Sequence, residues 1–236
     1  MTPSFALRDA LALGDLQTFL GRSARVDDGA VRLIGSGGVL AVYTSVLQPA
    51  GLLDRAPTVL GLRTFAAETQ APVDSVVPIR ALLDRLARLE GPATGSPGEP
   101  VGVLVPPDVA TAPWAGISPP RAGWERRDDA PAAALRAAAR AGIDEVAAAV
   151  PSGIGEQIVS RVRGEVWGRA VEGAPDVLAG GAFAAYSLGF LGPDPVADAA
   201  TDGAAPDDAE APVAVFRTGP WTRLTTSRGH VLIRRL

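Results

Sequence analysis

The sequence contains no cysteine, no lysine, a single histidine and a single methionine, Met1. Each absence closes a class of chemistry. Without cysteine there is no disulfide, no thiolate nucleophile and no cysteine-ligated zinc or iron–sulfur site. Redox compartment therefore leaves no mark on the composition. One histidine, His230, excludes a multi-histidine metal centre. Without lysine there is no P-loop Gly-Lys-Ser/Thr, no Schiff base and no kinase-type phosphate lysine. Hydroxyl, carboxylate, arginine and single-histidine chemistry remain. No metal and no cofactor is expected.

What is present reads as ordinary globular protein. The 236 residues are 47% hydrophobic and 20% charged, which suits a folded chain that buries roughly 70–75% of its unfolded surface. All 22 basic residues are arginine, and glycine (27) and proline (21) are abundant. Alanine is abundant too. These residues have GC-rich codons, so the bias points to a high-GC bacterial genome rather than to selection for guanidinium groups. The net charge of −4 supplies no overall attraction to nucleic acid or to an anionic membrane.

Long apolar runs are missing as well. Arg8 and Asp9 interrupt the first apolar stretch, so it does not read as a signal peptide. Residues 177–191 form the longest nearly apolar run, and three glycines break it; a membrane span needs about 20 residues. The expectation is a soluble, cytoplasmic protein with no membrane contact.

Periodicity divides the chain into strands at both ends and helices between. Residues 1–26 read as helix, with Phe5, Leu7, Leu11, Leu16, Phe19 and Leu20 at roughly helical spacing. Two β-branched runs around Gly35-Ser36-Gly37-Gly38 read as a hairpin, since a tight turn needs positive φ. A phosphate loop would lead into a helix instead. Residues 58–67 and 101–106 read as strands. Between them, Ile79, Leu82, Leu83, Leu86 and Leu89 line one face of an amphipathic helix, with Pro78 in its first turn. An alanine-rich helix ends before Pro151, a second runs from about 154 to 171, and the apolar run near 176–191 reads as a buried helix. The tail from 213 reads as strands carrying Arg217, Arg223, Arg228, Arg234 and Arg235. The fold expected is α+β: one domain over 1–236, with a largely antiparallel sheet formed by the N-terminal hairpin, central strands and C-terminal strands. Segments near 91–100 and 192–212 are expected to be flexible; the second has six acids and no base.

The stretch Val150-Pro151-Ser152-Gly153-Ile154-Gly155 joins two helices. Its apolar-Pro-Gly-apolar-Gly flavour resembles the helix-hairpin-helix family of DNA-binding modules, in which the glycine turn sets backbone amides against a phosphate. The resemblance spans about 20 residues and implies an anion site at Gly153 and Gly155. Two features depart from it: Ser152 is an extra residue, and Ile158 and Val159 stand where a small residue is expected. Asp144, Glu145 and Glu156 also surround the turn with negative charge. Without local positive charge a phosphate contact gains little. The turn therefore reads as a joint between core helices, and nucleic acid is not an expected partner.

His230 is the sole side chain with a near-neutral ordinary pKa. No Gly-x-Ser-x-Gly elbow accompanies it. The acid pairs Asp27-Asp28, Asp128-Asp129 and Asp207-Asp208 lie in turns or linkers, where neighbouring side chains diverge. Residues 113–127 combine Trp114 and Trp124 with Arg121, Arg126 and Arg127 on a proline-stiffened loop. Tryptophan and arginine anchor interfaces, and preset prolines reduce the entropy lost on binding. The function expected is therefore a non-enzymatic, self-associating interaction protein, with itself or another protein as partner. The alternatives are a metal-independent enzyme using His230 and arginines in a cleft, or nucleic-acid binding through residues 151–155 and the arginine-rich tail.

Overall fold

The computed structural model describes residues 3–49, 51, 54, 56–89, 98–109, 112–149, 156–193 and 211–235. The fold is α+β, with a large antiparallel sheet and, among the described residues, five α-helices. The chain divides into two compact units, Met1–Ser45 with Leu62–Ser118 and Val46–Gly61 with Pro119–Leu236. None of the helices described is long and apolar enough to cross a membrane.

The N-terminal unit contains β1 (Ser4–Leu7), α1 (Ala10–Val26), β2 (Ala30–Ser36), β5 (Val73–Pro78), α2 (Ile79–Ala87) and β6 (Val101–Leu104). Strands β3 (Val39–Leu47) and β4 (Thr58–Glu68) contribute residues to both units. The β2–β3 hairpin closes with Ser36 opposite Val39. Gly37 and Gly38 sit at φ 61° and 82°, the primed-turn geometry that matches strand twist and that residues with a Cβ rarely adopt. On its other edge β2 pairs with β5, Leu33 opposite Ser75 and Gly35 opposite Val73.

Residues 4–7 form a strand, not the start of a helix. Phe5 and Leu7 are buried while Ser4 and Ala6 are half-exposed, a period of two. Helix α1 begins only after Asp9, whose carboxylate accepts from the Ala12 amide at 2.8 Å and satisfies a donor the helix leaves open. Leu13, Leu16, Phe19 and Leu20 of α1 are buried, as are Ile79, Leu82 and Leu86 of α2. Pro78 precedes α2 as its cap (φ −61°, ψ 130°) and ends β5, so the residues before it are extended.

The C-terminal unit contains β7 (Glu125–Arg126), α3 (Ala132–Ala149), α4 (Glu156–Trp167), β8 (Ala170–Val171), β9 (Ala174–Leu178), α5 (Ala179–Ser187), β10 (Ala214–Thr218), β11 (Trp221–Thr226) and β12 (Gly229–Arg234). Strands β12, β11, β10 and β7 lie side by side in that order, all antiparallel. Helix α4 stops at Trp167, short of the residue 171 expected, and residues 170–171 pair with β9, so Ala170 is an exposed strand residue. Ile158 of α4 is 53% exposed.

Helix α5 is shorter than the apolar run suggested, because residues 174–178 are taken up by β9. What remains is almost wholly buried, and its small residues explain how. A Cβ on Gly181 would overlap Ile233 of β12, and one on Gly180 would come within 2.7 Å of Leu47. Glycine at both positions lets the helix backbone settle directly on the sheet. Trp167 stacks on Phe183 of α5, ring centres 4.5 Å apart.

Candidate functional site

The strand registers of the C-terminal unit bring arginine, aromatic and apolar side chains onto one face, where Leu232 is buried. Phe216 of β10 lies opposite Arg126 of β7 on one side and Arg223 of β11 on the other, and Arg223 lies opposite Leu232 of β12. Directly opposed residues share a face, so Arg126, Phe216, Arg223 and Leu232 form a row across four strands. The neighbouring row on that face places Thr225 opposite His230. The inner face carries Val215, Leu224, Val231 and Ile233, all buried.

The row is held by stacking. The Arg223 guanidinium carbon lies 4.6 Å from the centre of the Phe216 ring and 4.6 Å from that of Trp124. Arg126 stands over Phe216 at 5.2 Å. Trp124 comes from the loop before β7 and is fixed there: its indole Nε1 donates to the Pro120 carbonyl at 2.9 Å, with Gly123 at φ 78° turning the chain between them. Arg126 is answered by Asp129 at 2.5 Å and Arg127 by Glu125 at 3.7 Å.

Arg223 differs from these two. Its Nε is buried and has no hydrogen-bond partner among the described residues. Burial holds its pKa below the ordinary arginine value. His230 is half-buried, with Nδ1 3.1 Å from Thr225 Oγ1. Burial first, and the Arg223 charge second, push its pKa below the ordinary histidine value, so the imidazole is neutral at neutral pH. A hollow of about 220 Å³ lies at the far end of β11, lined by Phe190, Leu191, Pro212, Thr225 and Arg228 among others. Among the described residues no group of three or more acidic or histidine side chains is placed to hold a metal.

The five residues expected at a partner contact are divided between the two units. Trp124 and Arg126 join the row on the C-terminal unit. Arg127 is exposed beside Glu125, and Arg121 is exposed on the loop. Trp114 belongs to the N-terminal unit, where it is 4% exposed in a 3₁₀ turn, Pro113–Gly116. That turn is tied down by Arg32, which donates to the Ala115 carbonyl at 2.5 Å and to Ser118 at 3.2 Å. Gly153 and Gly155 lie outside the described residues. Phe216 and Arg223 are the members that the sequence did not single out. Their signal was a pair of alternating strands joined at Gly219-Pro220, which sets Phe216 against Arg223 once the turn is counted.

No curated protein sequence matches the chain. Among solved structures it is similar to DNA polymerase sliding clamps. That of Caulobacter crescentus matches 100% of this chain and 65% of its own length, at 13% identity and a TM-score of 0.48. The clamp of Pseudomonas aeruginosa gives 99%, 64%, 15% and 0.43, and that of Bacillus subtilis 100%, 65%, 10% and 0.46. The chain thus spans less than two thirds of each clamp, and likeness at this level says nothing of binding or assembly. Residues 1–107 match a family described as a domain of unknown function (DUF8010). The face built by Trp124, Arg126, Phe216, Arg223 and His230 falls entirely within residues 119–236, half of the chain, whose match shows that the chain belongs to the family described as a domain of unknown function (DUF8185).

Proposed function

We propose that the chain is a non-enzymatic interaction protein that self-associates, and that the outer face of β7, β10, β11 and β12 is its contact surface. The observation that carries this is Arg223, half-buried and packed at 4.6 Å against both Trp124 and Phe216. Aromatic and arginine side chains dominate the energy of protein contacts, and they do so best when already ordered. Here sheet register and a fixed indole provide that order. The state of His230 favours the same reading over an enzyme. Its ring is engaged by a hydroxyl and made less basic by a neighbouring cation, whereas a general base is oriented by a group that stabilises its protonated form.

Sedimentation velocity over a wide concentration range tests the reading on the wild type and on the Trp124→Ala/Phe216→Ala double variant. The wild type is expected to associate as concentration rises, and the variant to stay monomeric with its circular dichroism unchanged. A wild type that remains monomeric throughout overturns self-association. A folded double variant that associates equally well moves the contact elsewhere.

A further inference from the structure

We infer that a hollow on the outer face of β4, β1 and β6, in the N-terminal unit, takes up an arginine or lysine side chain carried by an extended peptide segment of another protein. The inference is independent of the contact surface on the C-terminal unit and uses none of its residues.

The hollow exists because two strands part. β1 pairs with β6 along its whole length, from Ser4 opposite Leu104 to Leu7 opposite Val101, but with β4 only at Ala6 and Leu7. A continued ladder would set Gln70 opposite Ser4; the chain bends there instead. The gap is a hollow of about 450 Å³, lined by Ser4, Ala6, Glu68, Gln70, Gly102 and Leu104 among others. It also leaves main-chain groups open. The Val105 amide donates to the Pro3 carbonyl at 2.9 Å, so Pro3 faces β6. Edges alternate along a strand, so Ser4 turns its N–H and C=O to the β4 side. Among the described residues no backbone group answers them there.

The lining chooses the occupant. Glu68 is exposed and is the one charged side chain among the lining residues. The ion pairs of this unit join Arg32 to Asp74, Arg63 to Asp15 and Arg80 to Asp28, and among the described residues none reaches Glu68. Leu104, 58% exposed, supplies an apolar wall, and the small residues Ala6 and Gly102 lie beside it. Lysine and arginine match this lining because each has an aliphatic stem and a charged tip. The stem lies over Ala6 and Gly102 against Leu104, and the tip meets Glu68. The main chain of the segment supplies the acceptor and donor that Ser4 lacks, as an added strand does. An acidic side chain or a phosphate would meet like charge, and a wholly apolar one would desolvate the carboxylate without pairing it.

The test is an amide proton–nitrogen titration of the full chain. The probes are a blocked pentapeptide of valine and threonine with arginine at its centre, the same peptide with norleucine or glutamate there, and agmatine, which has the guanidinium and no peptide backbone. The arginine peptide should shift the Ser4 and Gly102 amides saturably and bind more tightly than the other three probes. Glu68→Gln should weaken it by about three- to fivefold, the worth of an exposed ion pair. Asp84→Asn, which removes an exposed acid of α2 outside the hollow, should not. A Cβ at Gly102 meets nothing within 4 Å, so Gly102→Val should fold, fill the hollow and abolish binding. If it does not fold, Leu104→Ser, at an exposed position, should show a loss instead. Unmoved amides, equal affinity for the norleucine or glutamate peptide, or unchanged binding in a folded Glu68→Gln overturns the proposal. Agmatine binding as tightly as the peptide makes this a site for a small cation and overturns it too. Self-association of the wild type that is lost in Glu68→Gln seats a second copy of the chain in the hollow and does the same. A monomeric wild type that binds the arginine peptide sinks self-association alone.

Discussion

Arg223 and Trp124 meet on the outer face of the C-terminal unit, the guanidinium carbon 4.6 Å from the centre of the indole. They come from distant parts of the chain, one from the middle of β11 and the other from the loop that leads into β7. The contact makes Trp124 part of a surface rather than of the core. Replacing it with alanine should lower unfolding free energy by about 1–2 kcal/mol, from a cation–π term of about 0.5–1 kcal/mol and the loss of partly buried ring area. Urea unfolding checks this. Loss of the cooperative transition would instead place Trp124 among the residues the fold cannot do without.

Two helical glycines should respond to alanine in opposite directions. In α1, a Cβ on Gly14 meets nothing within 4 Å, so Gly14→Ala should gain up to about 1 kcal/mol of helix propensity. In α3, a Cβ on Gly142 would overlap the six-membered ring of Trp167, which also stacks on Phe183. Gly142→Ala should therefore cost about 1–3 kcal/mol, the usual penalty for overpacking, despite the same propensity gain. Denaturant midpoints of the two variants with unchanged slopes would establish the contrast, and a stabilised Gly142→Ala would refute it.

Stability should fall on mild acidification because of one residue. His230 has a folded pKa below its unfolded value of about 6.5. Between the two values the unfolded chain binds the proton more readily, so unfolding is favoured as pH drops through that window. The loss begins as pH falls past the unfolded value and levels off below the folded one. His230→Gln should flatten this part of the pH–stability curve, since the chain has no other histidine. An identical slope in the variant would mean that another group is responsible.

In the N-terminal unit, Arg32 holds both oxygens of Asp74 at 2.8 Å and also the segment containing Trp114. The hydrogen bond from Arg32 keeps the Asp74 carboxyl below its ordinary pKa. The pair therefore adds stability above the unfolded carboxylate value, about 3.9, and loses it as pH falls through the folded one. Asp74 is largely exposed, so the pair itself is worth under about 1 kcal/mol. The larger effect of Arg32→Gln should be local: amide exchange at residues 113–118 should quicken, while α1 is unchanged. Equal protection in the variant would show that the burial of Trp114 alone secures the turn.

Local pattern made much of the fold legible. The β2–β3 hairpin, the amphipathic face of α2, strand β4 and the strands of the tail follow from periodicity and from glycines that allow positive φ, all of which act within a few residues. The errors lie where two patterns fit one stretch. Phe5 and Leu7 suit a helix as well as a strand, and residues 174–178 are apolar enough for either. Pairing with β6 in the first case and β8 in the second decided them.

Trp114 and Trp124 sit ten residues apart on the same proline-rich loop, and nothing local distinguishes them. Trp114 is buried in a turn whose carbonyl accepts from Arg32, whereas Trp124 is half-exposed against Arg223. By itself the sequence determined what chemistry is out of reach, since a missing thiol or lysine cannot be supplied by folding. It determined the periodic elements as well, because these depend on neighbours along the chain. Only the tertiary structure decided which arginine lies against two aromatic rings. The hairpin register sets Phe216 beside Arg223, but Trp124 reaches Arg223 from a loop far away in the chain, a contact between residues that no local pattern relates.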